Sequence, residues 1–303
     1  RLNLADGTSW QALPDGPPLQ GTALAAGPDG SLYRVGGMTA RNEAVGDDDL
    51  WSTASVARFD PDAQRWHELL PLPEPRSSHD AVVLDSKLYV VGGWQLAGGE
   101  DGTWASTAWV ADLATEPLQW QPLPAPPPRR AAALAATPGS LWLLGGMGPD
   151  GVLDSVLQFD LAAGAWRDVA PLPGMAFGTA ALGLGDTVYA TVADGRMLQL
   201  AATADTWQPA GQLVLPRLFH RLVAAPGENA LLALGGASQR GHMRSIERVE
   251  LAPAAASGEL RIDEWTLPAP SVVTHRQALW IDGDTVWAFG GNRGGADRFA
   301  ARE

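Results

Sequence analysis

The chain has 303 residues, and 21 basic against 34 acidic side chains give it a formal net charge of −13 at pH 7. This charge argues against binding to nucleic acid or to an anionic membrane surface. The absence of cysteine excludes disulfides and thiolate chemistry, and no apolar run approaches the roughly 20 residues that span a bilayer.

A tryptophan followed by a glycine pair recurs six times along the chain, with a period of roughly 50 residues. The tryptophans are Trp10, Trp66, Trp120, Trp166, Trp207 and Trp265. The paired positions are Gly36-Gly37, Gly92-Gly93, Gly145-Gly146, Asp194-Gly195, Gly235-Gly236 and Gly290-Gly291, so the fourth copy lacks its first glycine. The intervals are 26, 26, 25, 28, 28 and 25 residues, which predicts a repeat array.

Each repeat carries four short strand signals in a fixed order. In the second copy, apolar runs on either side of Asp85-Ser86-Lys87 predict a hairpin. A third run ends in an acidic turn, as at Asp60-Pro61, and a fourth begins at the tryptophan, as at Trp66, and stops at prolines. Six such repeats, with almost no helix, predict an all-β fold: a six-bladed β-propeller formed by residues 1–303 as one domain.

The two ends of the chain predict how the propeller closes. The chain begins on a fourth-strand signal around Trp10 and ends on a third-strand signal near residues 297–301. We therefore expect the N-terminal strand to complete the last blade, because this pairing removes two open sheet edges.

The glycine pair, the tryptophan about 25 residues before it and the turn Phe59-Asp60-Pro61 resemble the kelch repeat over nearly the whole chain. This resemblance implies a kelch-type propeller, in which the innermost strand of each blade lines a central channel. It also implies that the segment before the innermost strand and the loop between strands two and three open at one channel mouth.

The segments before the predicted innermost strands are rich in arginine and histidine. These candidate ligand-binding residues are Arg76, His79, Arg129, Arg130, Arg217, His220, Arg221, His275 and Arg276. Three interpretations are open: structural hydrogen bonds to carbonyl groups of adjacent blades, a site for a small anionic ligand, or a metal site. The metal site would use His79, His220 and His275, and the nearby arginines oppose it.

The loops that follow the first two glycine pairs are long and carry three tryptophans outside the repeat pattern. Trp51, Trp94 and Trp104 could stack on sugar rings or dock a peptide, or they could anchor their own loops. The first loop also contains Glu43, Asp47, Asp48 and Asp49, a set that fits either a Ca²⁺ site or a solvated acidic loop.

The fifth loop, residues 236–245, is similar in layout to that of the bacterial sialic acid mutarotases, which are also kelch propellers. The resemblance implies that Arg244 could hold a sugar carboxylate. Ala237 and Ser238 stand where that family has a glutamate, so His220 or His242 would have to act as the acid/base that ring opening needs.

These observations favour a non-enzymatic binding module without a cofactor or metal, for a partner protein or a small anionic or carbohydrate ligand. The alternative is a mutarotase or epimerase of sialic acid-like sugars. We expect no nucleic-acid partner and no membrane insertion. The arginine-rich composition and the absence of an initiator methionine favour a bacterial protein that has lost its leader and resides in the periplasm or outside the cell.

Overall fold

The structure is a computed structural model, and it describes residues 2–3, 11, 17, 19–27, 29–41, 49–98, 101–225, 229–239, 241–243, 245–251, 279–282 and 285–288. Every regular element in these ranges is a β-strand, so the described part of the chain holds no helix that could cross a membrane. The described residues up to Arg130, together with 279–288, form one compact unit, and those from Ala131 to Leu251 form a second.

Five antiparallel sheets of consecutive strands follow one another along the chain, and each sheet is one blade. Blade one consists of β2 (Ala23–Ala26), β3 (Leu32–Val35), β6 (Val56–Asp60) and β7 (Arg65–Glu68). Blade two consists of β8 (Asp80–Leu84), β9 (Lys87–Val91), β12 (Ala108–Asp112) and β13 (Trp120–Leu123). Blade three consists of β14 (Ala133–Thr137), β15 (Ser140–Leu144), β18 (Val156–Asp160) and β19 (Ala165–Val169). Blade four consists of β20 (Ala181–Leu184), β21 (Thr187–Thr191), β22 (Arg196–Ala201) and β23 (Gln208–Gln212). Blade five has three described strands, β24 (Arg221–Ala224), β25 (Ala230–Leu234) and β28 (Ile246–Glu250).

The connection between strands two and three is itself a small hairpin in blades one, two, three and five. These hairpins are β4 (Met38–Ala40) with β5 (Leu50–Ser52), β10 (Trp94–Gln95) with β11 (Thr103–Trp104), β16 (Met147–Gly148) with β17 (Gly151–Val152), and β26 (Ala237–Ser238) with β27 (Gly241–His242). In blade four, residues 192–195 alone join the two strands.

The core lies between successive blades, where small and branched side chains of the first two strands face the next sheet. Ala23 and Val35 of blade one, for example, pack with Leu88 and Val90 of blade two, all of them fully buried. Burial of this kind contributes roughly 25 cal/mol for each Å² of apolar surface removed from water.

The repeat tryptophans join each blade to the blade before it. The indole Nε1 of Trp120 donates to the carbonyl of Leu70 at 3.1 Å, and that of Trp207 donates to the carbonyl of Ala170 at 2.9 Å. The sequence period therefore records contacts between neighbouring blades.

The first glycine of each pair lies where the main chain of the next blade comes closest. Gly36 has a φ of 57°, and a Cβ there would lie 2.5 Å from the carbonyl oxygen of Arg76. At Gly92 and Gly145, the corresponding carbonyl oxygen would lie 2.8 and 2.4 Å away. Because real Cβ atoms do not approach oxygen this closely, a side chain here would separate the blades.

The fourth repeat fills this position with Thr191, so the assignment of Asp194-Gly195 as its glycine pair was wrong. In blade one, the residue before Gly36 pairs with the first residue of β2. In blade four, Ala190 holds that pairing, which makes Thr191 the counterpart of Gly36. The interval from Trp166 to Thr191 is then 25 residues, as in the third repeat. Asp194-Gly195 belongs to the short turn into β22.

A short lead-in segment precedes the first strand of each blade, and its third residue has a positive φ in all five. These residues are Gly21 (58°), Ser78 (54°), Ala131 (53°), Gly178 (63°) and Phe219 (57°). The N–H of Ser78 donates to the carbonyl of Gly21 at 3.0 Å, and that of Phe219 donates to the carbonyl of Gly178 at 2.7 Å. Main-chain hydrogen bonds therefore join the lead-in segments of consecutive blades.

The N-terminal strand pairs with the last strands of the chain. β1 (Leu2–Asn3) lies beside β30 (Thr285–Ala288), which also pairs with β29 (Leu279–Asp282). β1 thus takes the third-strand position, which we had assigned to residues 297–301. Those residues and Trp10 lie outside the described ranges. The described chain shows five blades of consecutive strands and this three-stranded sheet.

Candidate functional site

Arg76 and Arg217 occupy equivalent places at the start of their lead-in segments, and both guanidinium groups are buried. Arg76 donates to the carbonyl groups of Gly92 (3.2 Å) and Thr107 (3.0 Å). Arg217 donates in the same way to Gly235 (3.1 Å) and to the residue before β28 (2.9 Å). These acceptors belong to the same blade as the arginine, not to the adjacent blade as the structural interpretation supposed.

The charges of these two arginines are balanced differently. Burial lowers the pKa of Arg76 to about 10, and the carboxylate of Glu74, 3.6 Å away, opposes this shift. Arg217 donates to the fully buried Glu247 at 2.9 Å, and burial lowers its pKa while Glu247 raises it. Both arginines hold a strand end in place, so neither guanidinium is placed to meet a ligand.

His79 and His220 occupy the fourth position of their lead-in segments and are fully buried. The ring of His79 lies against Gly36, and neither of its nitrogens has a hydrogen-bond partner among the described residues. Burial, aided by the charge of Arg76, lowers the pKa of His79 to about 3, so the ring is neutral. The Nε2 of His220 instead meets the hydroxyl of Thr191 at 3.0 Å.

The remaining lead-in residues have separate environments. Arg129 is buried, and its carbonyl accepts the N–H of Gly93 at 2.8 Å. Arg221 is half-buried at the start of β24. Three further predicted site residues lie outside the described ranges: Arg244, His275 and Arg276.

The three loop tryptophans do belong together. Trp94 and Trp104 lie directly opposite each other in the β10–β11 hairpin, with ring centroids 6.3 Å apart and planes tilted by 45°. Trp51 lies in the neighbouring β4–β5 hairpin and forms a β-bridge with Ala97. The hydroxyl of Ser52 also accepts the N–H of Leu96 at 3.0 Å, which joins the two hairpins.

Arg130 is the lead-in residue that this aromatic group holds. Its guanidinium carbon lies 3.8 Å from the ring centroid of Trp94 and 5.8 Å from that of Trp104. Partial burial lowers the pKa of Arg130. Stacking of this type contributes about 0.5–2 kcal/mol, depending on how far the cation is desolvated.

A second stack, on Trp51, escaped the sequence analysis. The exposed Arg41 places its guanidinium carbon 4.2 Å from the Trp51 ring centroid, and Trp51 Nε1 donates to the carboxylate of Asp49 at 2.6 Å. Arg41 and Trp51 lie on neighbouring hairpin strands, so only the hairpin register could have predicted the contact. Arg41, Trp51, Trp94, Trp104 and Arg130 are called the indole–guanidinium surface below.

This surface combines flat apolar area with two cations. A guanidinium that stacks on an indole donates hydrogen bonds in its own plane, where it suits the planar carboxylate group. The half-buried indoles provide faces on which a sugar ring or an apolar side chain can pack.

The structure gives no support to a metal site. The part of the chain that the structure describes contains no group of three or more histidine and carboxylate residues that could hold an ion. The carboxylate of Asp49 is bonded to Trp51, and Glu43, Asp47 and Asp48 lie outside the described residues.

The catalytic alternative rests on residues with unsuitable or undescribed surroundings. His220 is fully buried, so its ring does not face solvent. Arg244 and the side chain of His242 lie outside what the structure describes. Asp150 and Asp154, two carboxylates that could assist a proton transfer, are exposed in and beside the β16–β17 hairpin.

Comparison with known proteins agrees with the repeat geometry. Residues 9–191 match the family model described as the KLHDC2/KLHL20/DRC7 Kelch-repeats domain. The chain belongs to the kelch-repeat family. Its fold is accordingly an all-β propeller, in which the glycine pairs and tryptophans described above are the contacts between blades.

Relatives of this kelch chain are similar at low identity. The Kelch-like protein terF of Aspergillus terreus is 26% identical over 279 residues, which cover 86% of this chain and 59% of that protein. The human Kelch repeat and BTB domain-containing protein 13 is 27% identical over 250 residues, which cover 78% of this chain and 51% of that protein. The chain thus spans about half the length of these curated relatives.

A solved structure shares the fold. The structure of YjhT superposes with a TM-score of 0.65 at 19% identity and covers 84% of this chain and 87% of its own. Kelch propellers commonly serve as interaction modules.

Proposed function

We propose that this chain is a non-enzymatic binding module that takes a carboxylate-bearing ligand on the indole–guanidinium surface. The ligand is an acidic segment of a partner protein or a small sugar acid. The observation that carries the proposal is the stack of Arg130 on Trp94 at 3.8 Å, beside Trp104. It joins a charge that fits carboxylate to an aromatic face that fits a ring or an aliphatic chain.

The net charge of −13 makes the position of these cations important. An acidic ligand is repelled by the chain as a whole, so its binding depends on short-range bonds to local guanidinium groups. Arg41 and Arg130 are held by neighbouring hairpins of one unit, which places two such groups on the same surface.

Calorimetric titration with N-acetylneuraminic acid and with a glutamate-rich peptide tests the proposal and separates the two ligand sources. Arg130→Gln should weaken the ligand that binds by about tenfold or more, because a charge-assisted hydrogen bond is worth about 1.5–3 kcal/mol. Arg58→Gln is the matched control, since Arg58 pairs with Asp29 elsewhere in blade one. Equal affinity of wild type and Arg130→Gln, or failure of both probes to bind, would falsify the proposal.

The blade count forms a second part of the proposal. We propose that β29, β30 and β1 belong to a sixth blade, which the N-terminal strand closes. The support is the register in which Asn3 lies opposite Thr285. Because the chain has no cysteine, the double variant Asn3→Cys/Thr285→Cys offers a clean test. Oxidation should yield an intramolecular disulfide, and only intermolecular disulfides would contradict closure. An exported location and a bacterial source stay predictions.

A further inference from the structure

The short turn of blade four leaves its lead-in segment without a covering hairpin. In blade two the second lead-in residue, Ser77, forms a β-bridge with Trp94 of the hairpin, and in blade five Leu218 forms one with Ala237. In blade four, where residues 192–195 make the whole connection, the N–H of Ala193 donates to the carbonyl of Met175 at 3.0 Å. The side chains that a hairpin would cover are therefore open to solvent.

Apolar side chains collect around this turn, all of them in the second unit. Met175, Val152 and Val214 are 54%, 47% and 43% exposed, which is unusual for residues of their size. Phe177 and Phe219 are half-buried beside them, with ring centroids 5.2 Å apart in an edge-to-face arrangement. These five residues are called the aromatic face.

The contacts between segments make this face continuous. Leu153, beside the β16–β17 hairpin, donates its N–H to Gly146, whose own N–H donates to the carbonyl of Ala176 in the lead-in segment of blade four. On the other side, the N–H of Leu213 donates to the carbonyl of Gly195 in the short turn. The exposed Val152, Met175 and Val214 thus belong to three segments that contact one another.

Phe219 has a backbone conformation that does not suit its side chain. Its φ is 57°, a region that is costly for a bulky residue, and the equivalent positions Gly21 and Gly178 show that glycine serves there. The Phe219 ring lies over Gly178, where a Cβ would come within 2.8 Å of it. An aromatic residue kept in a strained conformation at the surface points to a function for the ring.

The charges around the aromatic face are mainly negative. Asp150 and Asp154 are exposed in and beside the β16–β17 hairpin. The nearby cation, Arg196, is bonded to Asp194 at 2.7 Å and to the carbonyl of Pro173 at 2.6 Å. A basic ligand is therefore favoured at this rim. A second copy of the chain is disfavoured, because each copy carries a net charge of −13.

We infer that the aromatic face docks an extended segment of a partner protein, with an apolar anchor residue that packs against Phe177 and Phe219. Arginine or lysine residues flank the anchor and meet Asp150 and Asp154. This arrangement has the apolar centre and polar rim of a protein interface. It uses other residues than the indole–guanidinium surface and prefers ligands of the opposite charge.

Three fluorescein-labelled peptides test the inference by fluorescence polarisation with the full chain. The first has a central Leu-Phe flanked by arginines, the second has the same centre flanked by glutamates, and the third has a central Ser-Gly flanked by arginines. We expect the first to bind at least about tenfold more tightly than the others. Equal binding of the first and second peptides, or of the first and third, overturns the inference, as does no binding up to about 1 mM.

The variant Phe219→Gly separates binding from folding, because glycine fits the observed φ. It should weaken the first peptide by about tenfold or more, with no fall in melting temperature. Met175→Asp should weaken it similarly. Leu184→Asp is the matched control, since Leu184 is 42% exposed on the β20–β21 turn of the same blade. Wild-type affinity in both variants overturns the inference, as does wild-type self-association that Phe219→Gly abolishes, which would make a second copy the occupant.

Discussion

The Nε2 of His220 lies 3.0 Å from the hydroxyl of Thr191, the residue that stands where the neighbouring repeats carry their first glycine. In blade two the equivalent His79 faces Gly36 and finds no such hydroxyl. The same lead-in position thus tests the end of the preceding blade in two ways, and the two histidines differ in their hydrogen bonding for that reason.

Removal of the Thr191 hydroxyl should destabilise the fold. Thr191→Val keeps the shape of the side chain but leaves the buried His220 without this partner, at an expected cost of about 1–3 kcal/mol. The free energy of unfolding in urea measures the effect. Thr187→Val, at the start of the same strand, is the control and should change stability by less than about 0.5 kcal/mol. Equal effects of the two substitutions would contradict the role of the bond.

The buried His79 should make stability depend on pH. Its pKa falls from 6.5 in the unfolded chain to about 3 in the fold, so only the unfolded state binds a proton between these values. Its contribution is complete above pH 6.5 and is lost as the pH falls towards 3. Between about pH 7.5 and pH 5, this residue should remove roughly 2 kcal/mol of stability.

The variant His79→Gln checks this dependence through its slope and not through its absolute stability. Urea unfolding across the pH range should lose the same roughly 2 kcal/mol less in the variant than in wild type. His67→Gln, on the fourth strand of blade one, supplies the matched substitution for comparison. An unchanged slope in His79→Gln would show that the ring is not neutral and buried in solution.

The buried pair of Arg217 and Glu247 should be costly to break and cheap to replace. Arg217→Met leaves a fully buried carboxylate uncompensated, with an expected loss of about 3–5 kcal/mol. The double variant Arg217→Met/Glu247→Gln should recover part of that loss. Arg196→Met, which breaks the exposed pair with Asp194, should cost less than about 1 kcal/mol. A full double-mutant cycle measured by calorimetric melting gives the coupling, and a value near zero would refute it.

The glycine pair can be tested with two substitutions that share a backbone conformation. Gly36→Ala meets both a φ of 57° and a carbonyl oxygen at 2.5 Å, so we expect a loss of about 2–5 kcal/mol. Gly139→Ala, at a φ of 72°, meets no atom within 4 Å and should cost only about 1–2 kcal/mol. Similar losses in thermal unfolding would mean that the blades do not approach as closely as the contact implies.

The strand pattern and the kelch repeat could be predicted from the sequence because glycine and tryptophan are required by contacts that recur at a fixed spacing. The fourth repeat misled the prediction, since the search for a glycine selected Asp194-Gly195. Strand pairing, which one sequence does not reveal, assigns the position to Thr191.

The candidate site was predictable only in part. Trp94 and Trp104 were expected on a loop, and the hairpin holds them as a pair. The destination of each arginine could not be read from its position, because Arg76 and Arg130 lie in equivalent segments. Arg76 turns inward to carbonyl groups of its own blade, whereas Arg130 lies over a tryptophan of the preceding blade. Such differences depend on side-chain packing between blades that are distant in sequence.

The bond from the N–H of Ser78 to the carbonyl of Gly21, and its counterpart between Phe219 and Gly178, use main-chain atoms alone. Attachment of one sheet to the next therefore makes no demand on side-chain identity at these sites. During gene duplication, a copied repeat would keep its docking bonds while its amino acids diverged. This freedom accounts for serine, glycine and phenylalanine in the same structural role.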